Sequence, residues 1–177
     1  MRRLAAVLIA LLAFVPHGAA AAIFASAESG FSADFMTDPE IVPPQPSEKD
    51  GTGATLSLAV MYKSSEQSVF ITSVVVDTFT APFVINVPAS LAKERGNFIT
   101  PLSGTLTATT TGTLQGSPAT FFSFVIGNGS VKGRGLVVIL DKATPRIYVV
   151  TMVYRTADAT PNQIAGLNNF IDSFKLQ

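Results

Sequence analysis

Apolar and polar residues alternate with a period of two over most of this chain, and that period predicts strands. In GFSADFMT (30–37), Phe31, Ala33 and Phe35 alternate with Ser32, Asp34 and Met36. From Ala54, the residues Leu56, Leu58, Val60 and Tyr62 alternate with Thr55, Ser57 and Ala59, which reads as a half-buried strand. SVFITSVVVD (68–77) is rich in β-branched residues and predicts the next strand, with SSEQ as the turn before it. The threonine-rich segment 104–114 is extended, and Gly116-Ser117-Pro118 is the expected turn after it. ATFFSFVI (119–126), GLVVIL within 131–140 and RIYVVTMVY (146–154) then follow as three strong strands.

Two segments break the period. NVPASLAKERGN (86–97) places Pro88 in a first helical turn and Gly96 at an expected C-cap, which predicts a short helix. Near the C-terminus, Thr160, Pro161 and Gln163 form a capping-box pattern, and Ile164, Leu167, Ile171 and Phe174 make one apolar helical stripe. Lys175 lies where the dipole of that helix favours a cation. The segment 38–53, DPEIVPPQPSEKDGTG, is proline-rich and acidic and reads as an exposed loop. The fold class implied is α+β: an antiparallel sheet of about six or seven strands flanked by helices. Because GLVVIL and YVVTMV are apolar on both faces, both sheet faces must be covered.

The first residues, MRRLAAVLIALLAFVPHGAAAA, follow a different logic. Two arginines, twelve apolar residues (Leu4 to Val15), Pro16 and a run of small residues have the layout of a secretory signal peptide. Ala20 and Ala22 suit the small-residue positions of a signal-peptidase site, and a later cut after Ala27 is the alternative. Twelve apolar residues fall short of the roughly 20 that span a bilayer. The expectation is therefore an exported, periplasmic or secreted protein, with residues 23–177 forming a single domain and no stable membrane insertion after processing.

Composition narrows the chemistry. Cleavage after Ala22 leaves ten basic residues, twelve less Arg2 and Arg3, against twelve acidic ones, so no basic excess is available for nucleic acid. There is no cysteine, and the one histidine, His17, lies inside the leader. Disulfides, thiolate chemistry, Ser-His pairs and the usual zinc and copper ligand sets are thereby excluded from the mature chain. No cofactor and no metal are expected.

Three patterns invite a functional reading. GNGSVKGRG (127–135) is glycine-rich and carries Lys132 and Arg134, but it lacks the Gly-Lys-Ser/Thr order and the following helix of a phosphate-binding loop. Asn-Gly between two apolar runs predicts a hairpin tip instead, with Lys132 and Arg134 solvated on one face of the outgoing strand. Ser90-Leu-Ala-Lys93 places a hydroxyl one helical turn below an amine, as in penicillin-recognising enzymes, but their other motifs are missing. The carboxylates Asp34, Asp38, Glu40, Glu48 and Asp50 are separated by prolines and keep only fragments of a calcium-loop spacing. Asn128-Gly-Ser130 fits a glycosylation sequon.

Taken in order, GFSADFM, TLQGSPATFF, VKGRGLVVILDKATPRIYVV and NNFIDSFKL make a chain that resembles the PsbP/Mog-like family of exported bacterial proteins. The resemblance spans residues 30 to 176 and rests on Gly30-Phe31-Ser32, Gly116-x-Pro118, Arg134, Arg146-x-Tyr148, Phe170 and Ser173-Phe174. It implies an antiparallel sheet sandwiched by helices and a non-catalytic binding role, with no family-wide catalytic set. The first helix departs from that pattern, shortened by Pro82 and Pro88. The expected function is an exported, non-enzymatic binding or accessory protein whose partner is another cell-envelope or extracellular protein. A carrier of a small ligand in an apolar pocket between sheet and helix is the alternative, and a hydrolase using Ser90 and Lys93 the third. If the leader directs export, N-terminal sequencing of the exported protein should find Ile23 as its first residue.

Overall fold

The computed structural model describes residues 23–42, 56–66, 69–80 and 86–177; the expected leader and its cleavage site therefore lie outside the described residues. Ten strands and two helices follow one another as β1 (Phe24–Ser26), β2 (Phe31–Ala33), β3 (Glu40–Val42), β4 (Leu56–Glu66), β5 (Phe70–Phe79), α1 (Val87–Ile99), β6 (Thr105–Leu114), β7 (Ser117–Ile126), β8 (Val131–Leu140), β9 (Arg146–Arg155), α2 (Pro161–Ser173) and β10 (Lys175–Leu176). A seven-stranded antiparallel sheet runs β3-β4-β5-β9-β8-β7-β6, and a three-stranded sheet runs β1-β2-β10. The α+β class holds. Helix α1 carries the chain from β5 in the middle of the sheet to its far edge, from which β6 to β9 return as a meander.

Both faces of the large sheet are buried, as the apolar runs require. On one face, α2 and the small sheet close over Val74, Leu136, Val138, Tyr148, Val150 and Met152. Phe31, Phe170 and Phe174 fill the space between, with Phe31 stacked on Phe174 at 5.7 Å and Phe35 against Phe170 at 4.8 Å. On the other face, Leu91 and Ile99 of α1 pack on Phe122, Phe124, Val137, Ile139 and Val149.

That second core depends on two glycines. Gly135 lies directly across from Phe122 and Gly133 from Phe124 in the β7–β8 register. A Cβ at Gly135 would stand 2.2 Å from the Phe122 ring, and one at Gly133 would stand 2.3 Å from that of Phe124. Each ring lies flat over backbone that any side chain would occupy, the cross-strand aromatic–glycine pairing that pins register. Of the four glycines in GNGSVKGRG, then, two make the turn and two make room.

Several expectations are corrected. Phe31 to Ala33 belong to the small sheet, not to the large one, because a period of two specifies a face but not a partner. Within the expected 38–53 loop, Glu40–Val42 pairs with Met61 to Lys63 as an edge strand; 43–55 lie outside the described residues. Gly96 is interior to α1, which runs on to Ile99 and takes Thr100 as its C-cap, its N-cap being Asn86. Packing of Ile99, only 6% exposed, supplies the reason to continue through the glycine. The β6–β7 hairpin turns at Gln115 (φ 49°) and Gly116 (φ 81°), not at 116–118, so Ser117 and Pro118 already belong to β7. Strand β4 continues to Glu66, into the expected SSEQ turn, whose Gln67 lies outside the described residues.

The capping box of α2 is formed: the Gln163 N–H donates to Thr160 Oγ1 (3.3 Å) and the Thr160 N–H to Gln163 Oε1 (2.9 Å). Of its predicted stripe, Leu167 and Ile171 are buried, Ile164 is half-buried, and Phe174 is the C-cap rather than a helical residue. Lys175 follows directly on that C-cap, near the helix end as expected, and opens β10. Replacing Gly135 with alanine should cost about 1–3 kcal/mol by overpacking against Phe122. Urea denaturation should show that loss, and a Phe122→Leu change should recover part of it in the double variant.

Candidate functional site

The same alternation that aims Gly133 and Gly135 at α1 sends Lys132 and Arg134 to the opposite face. Arg134 lies between Ser123 of β7 and Met152 of β9, and Lys132 between Val125 and Tyr154. Together with Thr107 of β6 and Asn168 of α2, these residues line an open groove of about 460 Å³ beside the hairpin tip. Its donors are an ammonium, a guanidinium, three hydroxyls and a side-chain amide. A surface so furnished suits a ligand carrying carboxylate or phosphate oxygens.

The two cations differ. Arg134 Nη1 donates to Asn168 Oδ1 at 2.7 Å, and its Nη2 donates to Asp172 Oδ1 at 3.1 Å, so Asn168 and Asp172, one helical turn apart, grip one guanidinium. This corrects the expectation that both cations are solvated on the strand. The ion pair is half open, with Arg134 37% and Asp172 62% exposed, and a pair of that kind contributes up to about 1 kcal/mol. Lys132 is exposed and has no ion-pair partner among the described residues. One cation of the groove is thus held in place and the other is free to engage.

The loop before it is a hairpin tip, as expected, though longer than two residues. Gly127, Asn128 and Gly129 all have positive φ, and the Ser130 N–H closes the turn on the Gly127 carbonyl at 3.1 Å. The Thr156 hydroxyl braces it from β9's far end, donating to the Ser130 carbonyl at 3.1 Å.

Other residues singled out from the sequence are scattered. Ser90 and Lys93 both lie on α1, across the sheet from the groove; Lys93 is exposed, and no hydrogen bond joins the two. Asp34 serves the fold: its backbone N–H donates to Ser173 Oγ at 2.9 Å and its carboxylate accepts from Asn169, fastening the small sheet to α2. Asp38 and Glu40 are exposed, while Glu48 and Asp50 lie outside the described residues. Among the described residues, no group of three carboxylates or imidazoles could hold a metal. Arg146 and Tyr148 brace the turn between β1 and β2: Arg146 Nη2 donates to the Glu28 carbonyl (2.8 Å) and the Tyr148 hydroxyl to that of Ser29 (2.9 Å). Burial raises the Tyr148 pKa above its ordinary value, against the lowering effect of the Arg146 guanidinium.

One titratable residue escaped the sequence reading. Asp77 falls between Val75 and Phe79 on the face that α1 covers, and its position in that period was the available signal. Burial, and secondarily the negative charge of Glu94, push its pKa up from 3.8 to about 6.

No protein-family model matches the chain, and no curated protein matches it. Among solved structures it is similar to LpqN, described as involved in cell envelope biogenesis of Mycobacterium tuberculosis. The TM-score is 0.53 at 12% sequence identity, over 83% of this chain and 83% of that one. The likeness is one of fold. Membership of the PsbP/Mog-like family is not confirmed. Among the described residues, no helix is long and apolar enough to cross a membrane.

Asp77 carries a pH signature. The unfolded carboxyl ionises near 3.8 and the folded one near 6, so stability falls as pH rises between them. At about 1.4 kcal/mol per unit, the full penalty above that window is at most about 3 kcal/mol. Asp77→Asn should therefore raise the melting temperature clearly at pH 8 and little at pH 4, as thermal melts at both values would register.

Proposed function

We propose that this chain is an exported, non-enzymatic binding or accessory protein of the cell envelope, periplasmic or secreted, that docks an acidic segment of another protein in the groove. The observation that carries the reading is Lys132, a cation without an ion-pair partner among the described residues, on a floor of hydroxyl and amide donors and beside an arginine that α2 holds in place. The composition of the mature chain supports the non-enzymatic part, since it lacks histidine and cysteine. The leader-like N-terminus and the fold likeness to a cell-envelope protein support the location. A net acidic mature chain with so local a cationic site is suited to a polypeptide partner rather than to nucleic acid.

A carrier of a small apolar ligand finds less support. Phe31, Phe170 and Phe174 fill the space between the large sheet and α2, where such a ligand would sit. Hydrolysis through Ser90 and Lys93 would use the face away from the groove.

The test is site-specific photocrosslinking in cells that export the protein. A photoreactive residue at Thr107 should yield a discrete protein adduct, lost in the Lys132→Glu/Arg134→Glu variant. That double change should leave the fold intact, since Lys132 is exposed and the Arg134 pair contributes only up to about 1 kcal/mol. An adduct equally strong from a control position at Lys142, or one indifferent to the charge reversal, would overturn the reading.

A further inference from the structure

The two edges of the large sheet are unlike. Strand β3 closes one edge with three residues, whereas β6 leaves ten residues along the other, roughly 34 Å of strand. Residues Thr105 to Thr113 of β6 are all exposed. An open edge is normally blunted by charge, proline or shortness, because its outward N–H and C=O groups are free to pair with another strand. Strand β6, TLTATTTGTL, carries neither charge nor proline, and its one irregularity falls at the start, between Leu106 and Ala108. From Ala108 to Leu114 the strand is regular.

We propose that β6 is a dimerisation edge, pairing antiparallel with the β6 of a second copy about a two-fold axis at Thr111. The choice of partner follows from self-complementarity. An isologous contact sets residue i against residue j and j against i, with only the axial residue facing itself, so the edge must be complementary to its own reverse. An edge whose charges are all of one sign fails that condition; the side chains of β6 are uncharged and meet it, and the cation that reaches the strand, Arg95 of α1, donates to Thr109 Oγ1 at 3.4 Å. With the axis at Thr111, Thr109 faces Thr113 of the partner, and Thr111 faces itself. On the other face, Ala108 meets the partner's Leu114, and Thr110 meets its Gly112, small against large. Threonine pairs directly across strands are favourable, and the main-chain ladder supplies the remaining attraction. A perpendicular two-fold keeps both α2 layers on one side, so the dimer would carry two cationic grooves on the same surface.

An interface of one strand pair is small, which predicts weak, reversible association. Sedimentation equilibrium of the mature chain from about 10 µM to 1 mM should show a monomer–dimer equilibrium. Thr111→Lys, which sets like charges face to face, should weaken it about tenfold or more at an unchanged melting temperature. Because the chain has no cysteine, Thr111→Cys gives a single thiol at the axis. Its oxidation to a symmetric disulfide should outpace that of a Lys142→Cys control. A parent that stays monomeric to 1 mM, or a Thr111→Cys variant that oxidises no faster than the control, would overturn the proposal. So would a monomeric parent whose Thr111 crosslinks to a foreign strand, which would assign the edge to that protein instead.

Discussion

Two phenylalanine rings lying across the bare backbone of β8 are the constraint on which the rest of the sheet rests. Phe122 and Phe124 need glycine at 135 and 133, and that requirement fixes the β7–β8 register, since a slip by one residue would set each ring against a side chain. With register fixed, the intervening positions 132 and 134 are committed to the other face. The core beneath α1 and the groove beside α2 are consequently two readings of one short stretch. Changing the glycines would disturb both, since the same register serves the two faces and Gly133 itself lines the groove.

Helix α2 has a matching double role. Leu167 and Phe170 are fully buried against the sheet, while Asn168 and Asp172 emerge at its flank to grip Arg134. Packing therefore sets the position of the guanidinium more than the ion pair does, because a half-open pair is worth little by itself. The groove's geometry is inherited from the core.

Much of this was legible in the sequence, and the exceptions have common causes. The strands at 119–126, 131–140 and 146–154 announced themselves through β-branched density, and the second helix through its capping box, since both signals are local. What failed was non-local. Phe31 and Ala33 showed the right period but joined another sheet, and Glu40–Val42 gained a strand only by pairing with β4. Gly96 has the residue type of a helix end, yet burial of Ile99 draws the helix past it. At the site, Lys132 and Arg134 stood out by charge. Ser123, Tyr154 and Asn168, which line the groove from three separate elements, did not, and neither did Asp172, which holds Arg134 from outside it. The order of motifs suggested an architecture that the fold upholds, while individually weak motifs could not establish a family.

The bracing of the N-terminal segment has a temporal consequence. The turn at Glu28 and Ser29 is held by Arg146 and Tyr148, residues 118 and 119 positions further on. Strand β2 lies beside β10, and the Gln177 N–H donates to the Gly30 carbonyl at 3.0 Å, tying β10 to that turn. Strands β1 and β2 pair with each other, and Phe24 and Phe31 pack on Tyr62 of β4, yet the small sheet is completed only by the latest-made strand, β10. Synthesised in order, the chain would hold its opening turn unbraced until β9 and β10 had been made, so the small sheet closes after the large one.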